Sequence, residues 1–262
     1  MNKYILAIDA GTTSSRAILF DKNAEAIEIA QYEFNQIFPK EGWVEHDALE
    51  ILNTQLRAIK DVINNSKIDP NNIDSVGITN QRETTVIWNK KTGKPVYNAI
   101  VWQDRRTASF CDDLKKNNKT ELIQDKTGLV IDAYFSGTKI KWILDSDSKI
   151  RNQANDGELL FGTIDTWLIW NLTNGQSHIT DPSNASRTLL YNIKKDSWDD
   201  ELLSLFDIPK NILPDVVDSS SVSAHIDPKI FGAKIPISGI AGDQQAALFG
   251  QLCTDEGDIK NT

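Results

Sequence analysis

The stretch YILAIDAGTTSSRAILF, residues 4–20, gives the first indication of the fold. Its apolar runs at 4–8 and 16–20 predict two short strands, the first of them buried. The residues between the two runs are small or polar, and they predict a hairpin tip. The chain therefore opens with an antiparallel pair of strands whose connection is rich in hydrogen-bond donors.

The predicted hairpin tip has the composition of a phosphate-binding loop. Gly11 lets the backbone approach a ligand closely because it has no Cβ. Hydroxyl groups, backbone N–H groups and Arg16 offer donors that suit phosphate oxygens, the hydroxyls being those of Thr12, Thr13 and Ser14. Asp9, at the end of the buried strand, could hold Mg²⁺ directly or through its waters. Taken alone, this stretch favours an ordinary Asp-Gly hairpin with solubilising hydroxyls over a phosphate site, because short motifs often occur by chance.

Further elements follow from the spacing of apolar residues. Ala26–Phe34 alternates and predicts a third strand, and Ser75–Thr79 predicts a later one. Asp47 is a candidate N-cap with Glu50 three places on, which predicts a capping box. A helix packed on a sheet is indicated by an apolar stripe at steps of three and four, made of Leu49, Leu52, Leu56, Ile59 and Ile63.

The rest of the chain mixes strands and helices. Strands are predicted at Thr85–Trp88, Ala99–Trp102 and Ile235–Ala241. Helices are predicted around Arg106–Lys116 and Ser148–Asn155, both exposed, at Thr163–Leu172 and from Gln244 onward. This alternation indicates the α/β class.

The composition of the chain excludes several classes of function. The 262 residues have 40% apolar and 25% charged residues, which is enough for a substantial core in one large or two small domains. The net charge of −9 argues against binding to nucleic acid or to an anionic membrane, and no apolar run is long enough for a membrane span or a signal peptide. Walker, dinucleotide, zinc and serine-hydrolase motifs are all missing from the sequence. We therefore expect a soluble cytoplasmic protein, in which a small anionic substrate could still meet a local basic site.

Four polar or aromatic residues lie at or just after the ends of predicted strands. Arg82 and Glu83 come directly after a buried strand, so they are either paired at the surface or exposed in a cleft, where they would suit adjacent hydroxyls. Trp102 ends another strand, and core packing is its commonest role. Asp243 lies between Gly242 and a predicted helix, where it is either an N-cap or a base.

Four long segments carry a resemblance to a known family. They are residues 9–16 (DAGTTSSR), 78–85 (ITNQRETT), 99–106 (AIVWQDRR) and 239–251 (GIAGDQQAALFGQ). In this order and spacing they resemble the FGGY carbohydrate kinases, and most closely the members that phosphorylate glycerol. The resemblance runs from about Lys3 to Thr262. It implies ATP-dependent phosphorylation of glycerol to sn-glycerol 3-phosphate, with Mg²⁺ as cofactor.

The resemblance also implies roles for single residues. Asp243 would be the catalytic base, and Arg82 and Glu83 would bind glycerol hydroxyls. Trp102 would pack against the glycerol carbons, while Tyr134 and Gln244 would complete the pocket. The phosphate groups of ATP would be bound by Thr12, Thr13, Ser14 and Arg16, and Asp9 would hold the metal.

The implied fold is α/β of the ribonuclease-H-like type found in actin and hexokinase, a mixed sheet that begins with antiparallel hairpins and has helices on both faces. In this family ATP lies in a cleft between two similar domains. We expect residues 1–262 to be the first domain, without the adenosine-binding domain, and to have negligible activity alone. A homo-oligomer is expected for the complete enzyme.

Two alternatives remain. The first is a kinase of the same family for another sugar or polyol. The second is a non-catalytic module that binds a polyol or a nucleotide, related to the actin-like ATPases. The segments at 81–84 and 102–106 favour glycerol over the first alternative.

Overall fold

A computed structural model describes residues 3–261. The strands are β1 (Tyr4–Ala10), β2 (Ser14–Phe20), β3 (Ala26–Glu33), β4 (Glu45–His46), β5 (Ile73–Asn80), β6 (Val86–Asn89), β7 (Ala99–Ile100), β8 (Leu159–Gly162), β9 (Ile179–Thr180), β10 (Tyr191–Asn192), β11 (Ser197–Trp198), β12 (Asp215–Val216), β13 (Ala224–His225) and β14 (Pro236–Gly242). The helices are α1 (Ala48–Ser66), α2 (Ala108–Lys116), α3 (Thr120–Thr127), α4 (Ser136–Ser146), α5 (Ser148–Asn155), α6 (Ile164–Leu172), α7 (Pro182–Ala185), α8 (Asp200–Phe206), α9 (Pro228–Phe231) and α10 (Asp243–Gly250).

The main sheet has the order β13-β14-β5-β1-β2-β3. Strands β1, β2 and β3 are antiparallel neighbours, as the opening stretch predicts, and β5 and β14 run parallel to β1. In β1 every second side chain is buried, because Leu6, Ile8 and Ala10 face the core. The predicted mixed sheet with antiparallel first hairpins is confirmed.

Helices cover both faces of the main sheet. Helices α1 and α6 pack on the face of Leu6 and Ile8, and the indole of Trp167 donates to the carbonyl of Ala48 at 2.9 Å. Helix α10 lies against the opposite face, where a cavity of about 500 Å³ separates it from the small residues Ala7 and Gly77. The ribonuclease-H-like arrangement is therefore present in the described chain.

A second core lies beside the sheet, in the long excursion between β5 and β14. Helices α2, α3, α4, α5 and α8 enclose it, and its fully buried members include Ile140, Ile143, Phe161 and Phe206. This excursion matters for the site because it carries Tyr134 and Arg187 back to the edge of the main sheet.

Local details differ from the sequence-based predictions. Asp47 caps α1 as predicted, accepting from the backbone of Leu49 at 2.8 Å, but the capping box does not form because the Glu50 carboxylate accepts from Asn35 at 2.9 Å. Leu49 itself is 41% exposed, so it is not part of the packed stripe. The predicted strand Ala99–Trp102 ends at Ile100.

The prediction of an exposed helix around Arg106–Lys116 is wrong at its first residue. The helix begins at Ala108, and the Arg106 side chain is completely buried. Its guanidinium is bound by the carboxylates of Glu45 and Asp104, which compensate its charge.

Candidate active site

The carboxyl ends of three parallel strands meet at one edge of the sheet. Ala10 of β1 pairs with Asn80 of β5, and Asn80 pairs with Gly242 of β14. The residues that follow these strands are therefore neighbours in space. Ligands of open α/β sheets bind at such edges. The hairpin tip, the Arg82–Glu83 pair and Asp243 are brought together in this way.

Asp243 is the first residue of α10, so its position as an N-cap is ruled out. Gly242 is the cap, and the Asp243 carboxylate instead accepts from its neighbour's backbone N–H (Gln244, 2.7 Å) and from Nε of Arg82 (3.0 Å). The side chain of Asp243 is 45% exposed. It is a carboxylate held in one orientation by an arginine and still accessible to a small molecule. Gln244, beside it, is half-buried.

Arg82 lies against the backbone that precedes Asp243. Its side chain is only 12% exposed, and Nη1 donates to Gln245 at 3.3 Å. A Cβ at position 242 would lie 2.4 Å from Cδ of Arg82, a distance that no real contact allows. Glycine is therefore required at 242, because any side chain would displace the arginine that orients Asp243.

Glu83 is buried and has a backbone conformation rare for its type. Its φ is 60° and its exposure 1%, and Oε1 accepts from Nε of Arg187 at 2.5 Å. Burial raises the pKa of Glu83, while Arg187, Arg82 and Lys139 act to lower it. Its carbonyl accepts from Oγ of Ser136 at 3.1 Å. Strained, buried and charged residues of this kind are concentrated at functional sites.

The aromatic side of the cleft joins the hairpin tip to the second core. Nε1 of Trp102 donates to Oγ1 of Thr12 at 3.1 Å, and the Trp102 and Tyr134 ring centroids are 5.4 Å apart. Burial and the nearby Glu83 raise the pKa of Tyr134, while Arg82 lowers it. Trp102 and Tyr134 are therefore close to the charged pair, as the resemblance implies, and both remain partly accessible.

The hairpin tip is held by hydrogen bonds to its own backbone. The amide of Gly11 donates to the carbonyl of Ser14 at 3.0 Å, and Nε2 of Gln81 donates to the carbonyl of Gly11 at 3.0 Å. Gln31, on β3, links Ser14 to Arg16 by accepting from Arg16 Nε at 2.9 Å and donating to Ser14 Oγ at 3.0 Å. Thr13 completes the tip, and its carbonyl accepts from a backbone amide.

Asp9 faces Arg16 across the hairpin, with 3.9 Å between Oδ2 and Nη1. Burial raises the pKa of Asp9, Arg16 lowers it, and the charge of Asp243 raises it. No cluster of three or more His, Cys, Asp or Glu side chains suited to a metal occurs within residues 3–261. Mg²⁺ needs no such cluster, because it is commonly bound by one or two carboxylates together with water and substrate phosphates. Asp9 fits that pattern.

A buried histidine supports the hairpin tip from below. Nε2 of His46 lies 2.6 Å from Oε1 of Gln36, and Gln36 donates to the carbonyl of Thr12 at 3.2 Å. Burial lowers the pKa of His46 from 6.5 to about 4. The unfolded chain therefore binds this proton at a higher pH than the folded chain does.

We expect His46 to make the chain less stable in mild acid. The stability that comes from burying neutral His46 is fully present above pH 6.5 and is lost as the pH falls towards 4. The free energy of unfolding should therefore fall by about 2 kcal/mol between pH 7.5 and pH 5. Urea unfolding of wild type and His46→Gln at both pH values measures the difference. Burial raises the pKa of Asp165 to about 6, so this residue changes stability with pH in the opposite direction. Its contribution is the same in both proteins and cancels in the difference between them. His225→Gln, at an exposed position, is the control; equal losses in wild type and His46→Gln would contradict the prediction.

Comparison with known proteins decides the family. Residues 4–250 match the model for the FGGY family of carbohydrate kinases, N-terminal domain. The chain belongs to the FGGY family. A glycerol kinase of Borreliella afzelii is 63% identical over 260 residues, which cover 99% of this chain and 52% of that protein. A glycerol kinase of Treponema denticola is 61% identical over 263 residues, covering 100% and 53%.

A solved structure of the family has the same fold. The crystal structure of Plasmodium falciparum glycerol kinase with ADP superimposes with a TM-score of 0.93 at 37% identity, covering 98% of this FGGY chain and 51% of that one. The chain thus spans about half the length of the relatives it matches. Within residues 3–261 no helix is both long and apolar enough to cross a membrane.

Two residues that support this FGGY site were not predicted from the sequence. Arg187 binds Glu83, and the fully buried Lys139, whose pKa burial lowers to about 7, donates to the carbonyls of Tyr134 and Phe135. Neither follows a predicted strand, so spacing gave no signal. The only available hint was chemical, since an acidic residue as buried as Glu83 needs a cation beside it.

Proposed function

We propose that this chain is the glycerol-binding and catalytic-base domain, residues 1–262, of an ATP-dependent glycerol kinase. The observation that carries the proposal is the pairing of Asp243 with Arg82 at the edge where the hairpin tip also lies. The sequence identity to glycerol kinases, over about half of their length, supports glycerol as the substrate. The product would be sn-glycerol 3-phosphate.

In the proposed mechanism the chain binds glycerol by its hydroxyls and its carbons. The guanidinium of Arg82 donates to the hydroxyls, and the Glu83 carboxylate accepts from them. Tyr134 adds its phenolic hydroxyl, Trp102 packs on the carbons, and Gln244 borders the pocket. Because Asp243 and Arg82 are already joined, a glycerol hydroxyl bound by Arg82 lies close to the carboxylate that must receive its proton.

Proton transfer accompanies the phosphoryl transfer. The terminal hydroxyl oxygen of glycerol forms a bond to the γ-phosphorus, the bond from that phosphorus to the ADP oxygen breaks, and the hydroxyl proton passes to Asp243. Catalysis of this kind depends on positioning and on charge neutralisation. Arg82 holds one oxygen of Asp243, so the acceptor does not rotate away during the step.

The hairpin tip would bind the phosphates of ATP. Its hydroxyls and backbone N–H groups, with the guanidinium of Arg16, provide donors for the oxygens of the transferred group, the hydroxyls being those of Thr12, Thr13 and Ser14. Asp9 would hold Mg²⁺, which when bound neutralises phosphate charge. The second half of the relatives' length would supply the adenosine side of the cleft. We further propose a cytoplasmic location and a homo-oligomeric complete enzyme.

Titration calorimetry tests the substrate. We expect the chain, and a chimera that joins it to the remaining half of the Borreliella afzelii glycerol kinase, to bind glycerol in preference to ketoses such as xylulose. Arg82→Ala removes charge-assisted hydrogen bonds, so glycerol affinity should fall roughly 10- to 100-fold. Arg57→Ala, on the outer face of α1, is the control.

Other outcomes separate the alternatives. Preferential binding of a ketose would favour a kinase for another sugar. Binding of glycerol without phosphorylation by the chimera would favour a non-catalytic module. No binding of glycerol by either protein would refute the proposal.

A further inference from the structure

The segment Asp181–Thr188 contacts the ends of β5 and β14 and reaches Glu83 and Tyr134 of the proposed site. It contains the single turn of α7 and lies beneath the ends of β5 and β14. Asp181 anchors it, because its fully buried carboxylate accepts from the backbone of Asn184 at 3.0 Å and from Oγ of Ser183 and Ser219 at 2.6 Å each. The segment therefore has a rigid centre made of short hydrogen bonds.

Its first contact fixes the residue before the proposed base. Oγ of Ser183 accepts from the amide of Gly242 at 2.8 Å while donating to Asp181. Gly242 is the N-cap of α10, and its neighbour is Asp243. A one-residue connection leaves little freedom between the held amide and the carboxylate.

Its second contact fixes the end of β5. Oδ1 of Asn184 accepts from Nδ2 of Asn80 at 3.0 Å, and the same Nδ2 donates to the carbonyl of Gln81 at 3.0 Å. Both asparagines are fully buried. The turn that leads into Arg82 is thus bound to the same short segment.

Its third contact holds the buried carboxylate. Nε of Arg187 donates to Oε1 of Glu83 at 2.5 Å, and the guanidinium lies 5.6 Å from the ring centre of Tyr134. One residue later, the carbonyl of Thr188 accepts from the amide of Gly137 at 2.7 Å, near the start of α4. The segment so joins Glu83 to the loop that carries Tyr134.

We propose that Asp181–Thr188 is the template that sets the geometry of the site, with Ser183 as a positioning residue for Asp243 and Arg187 as a positioning residue for Glu83. This inference rests on the proposed glycerol kinase function. Neither residue needs to contact glycerol, because each acts through the group it holds. Misplacing a reacting group by about 1 Å can cost roughly 100-fold in rate.

The two positioning residues should have different kinetic signatures. Ser183→Ala releases the amide of Gly242 and leaves Arg82 and Glu83 in place, so in the chimera kcat should fall roughly 10- to 100-fold while KM for glycerol changes less than about threefold. Ser221→Ala is the control, because the Ser221 hydroxyl bonds to Asp218 and Ser223 of its own loop. A kcat within threefold of wild type would overturn the role of Ser183.

Arg187→Gln should instead change how glycerol binding depends on pH. The charged and titratable groups facing Glu83 are Arg187, Arg82, Lys139 and Tyr134, and the first three lower its pKa. Loss of Arg187 raises the pKa of Glu83, so the carboxylate is protonated at a higher pH. KM for glycerol should rise roughly tenfold at pH 6 and recover towards wild type as the pH increases.

A conservative variant and a control complete the test of Arg187. Arg187→Lys keeps the charge, so it should retain the wild-type pH midpoint. An unchanged pH profile in Arg187→Gln would overturn the role of Arg187. If Arg187→Gln fails to fold, Arg187→Met replaces it with the same expected upward shift, and an unchanged profile there would likewise overturn the role. Arg151→Gln, which pairs with Asp145 on α4 away from the site, is the control. If wild-type chimera neither binds nor phosphorylates glycerol, the proposed function fails, a result distinct from active variants with unchanged kinetics.

Discussion

Asp243→Asn in the chimera is expected to lower kcat for glycerol phosphorylation by about 10²- to 10⁴-fold, the usual contribution of a general base. Asparagine has nearly the same shape, and its Oδ1 can still accept from Nε of Arg82 and from the amide of Gln244. It cannot take up the proton of the attacking hydroxyl. Binding should therefore survive, with the dissociation constant for glycerol within about fivefold of wild type.

Steady-state kinetics and calorimetry on the same preparation separate the two effects. Asp200→Asn, an exposed change on α8 that weakens a surface ion pair with Lys210, is the matched control and should leave kcat unchanged. A kcat within tenfold of wild type in Asp243→Asn would remove this residue as the base. Asp9 would then be the next carboxylate to test, since its charge and that of Asp243 influence each other.

Arg106→Met is expected to destabilise the chain by about 3–5 kcal/mol, the cost of removing one partner from a buried ion pair. The Arg106 side chain is 0% exposed and donates from Nη2 to Glu45 at 2.7 Å and to Asp104 at 2.8 Å. Its guanidinium carbon also lies 3.8 Å from the ring centre of Trp43. Methionine fills the volume but leaves two buried carboxylates without a cation.

Urea unfolding monitored by tryptophan fluorescence measures the loss. Lys210→Met, which removes an exposed ion pair with Asp200, should change the free energy of unfolding much less. Adding Glu45→Gln and Asp104→Asn to Arg106→Met should recover part of the loss, because the uncompensated charges are then gone. A destabilisation below about 1 kcal/mol would show that the buried carboxylates adapt without their arginine.

This ion-pair cluster also has a consequence for the site. Asp104 accepts from the backbone amide of Val44 at 2.6 Å, and so ties the segment after β7 to the segment before β4. Trp102 lies between β7 and Asp104. Loss of Arg106 should therefore loosen the aromatic side of the cleft as well as the core.

Much of the fold could be predicted because it depends on local patterns. The apolar runs in β1 and β14 predicted correct strands, and Asp47 caps α1 as its type suggests. The predictions were wrong where a side chain forms a hydrogen bond with a residue from another element of the fold. The Glu50 carboxylate accepts from Asn35 instead of completing the capping box, because the segment after β3 places Asn35 beside it.

In the candidate site, too, the residues were largely predictable and their partners were not. Most of its predicted members came from strand ends and from long family motifs. The parallel register of β1, β5 and β14 brings the hairpin tip, Arg82–Glu83 and Asp243 to one edge, whereas Trp102 and Tyr134 come from the excursion between β5 and β14. Arg82 and Asp243 are 161 residues apart and still form a hydrogen bond. Their roles in binding and catalysis stay predictions until the variants are measured.

The amino-acid sequence alone determined the class of fold, the positions of the longer strands along the chain and the types of residue at their ends, since apolar periodicity and motif spacing are properties of the chain itself. Tertiary structure alone decided the partners: Arg187 with Glu83, Ser183 with Gly242, and Arg106 with two buried carboxylates. The physical reason is that desolvation makes an unpaired buried charge or amide costly, yet it does not say which part of the chain will compensate it. That choice depends on which groups the packed elements bring within 3 Å or so of one another.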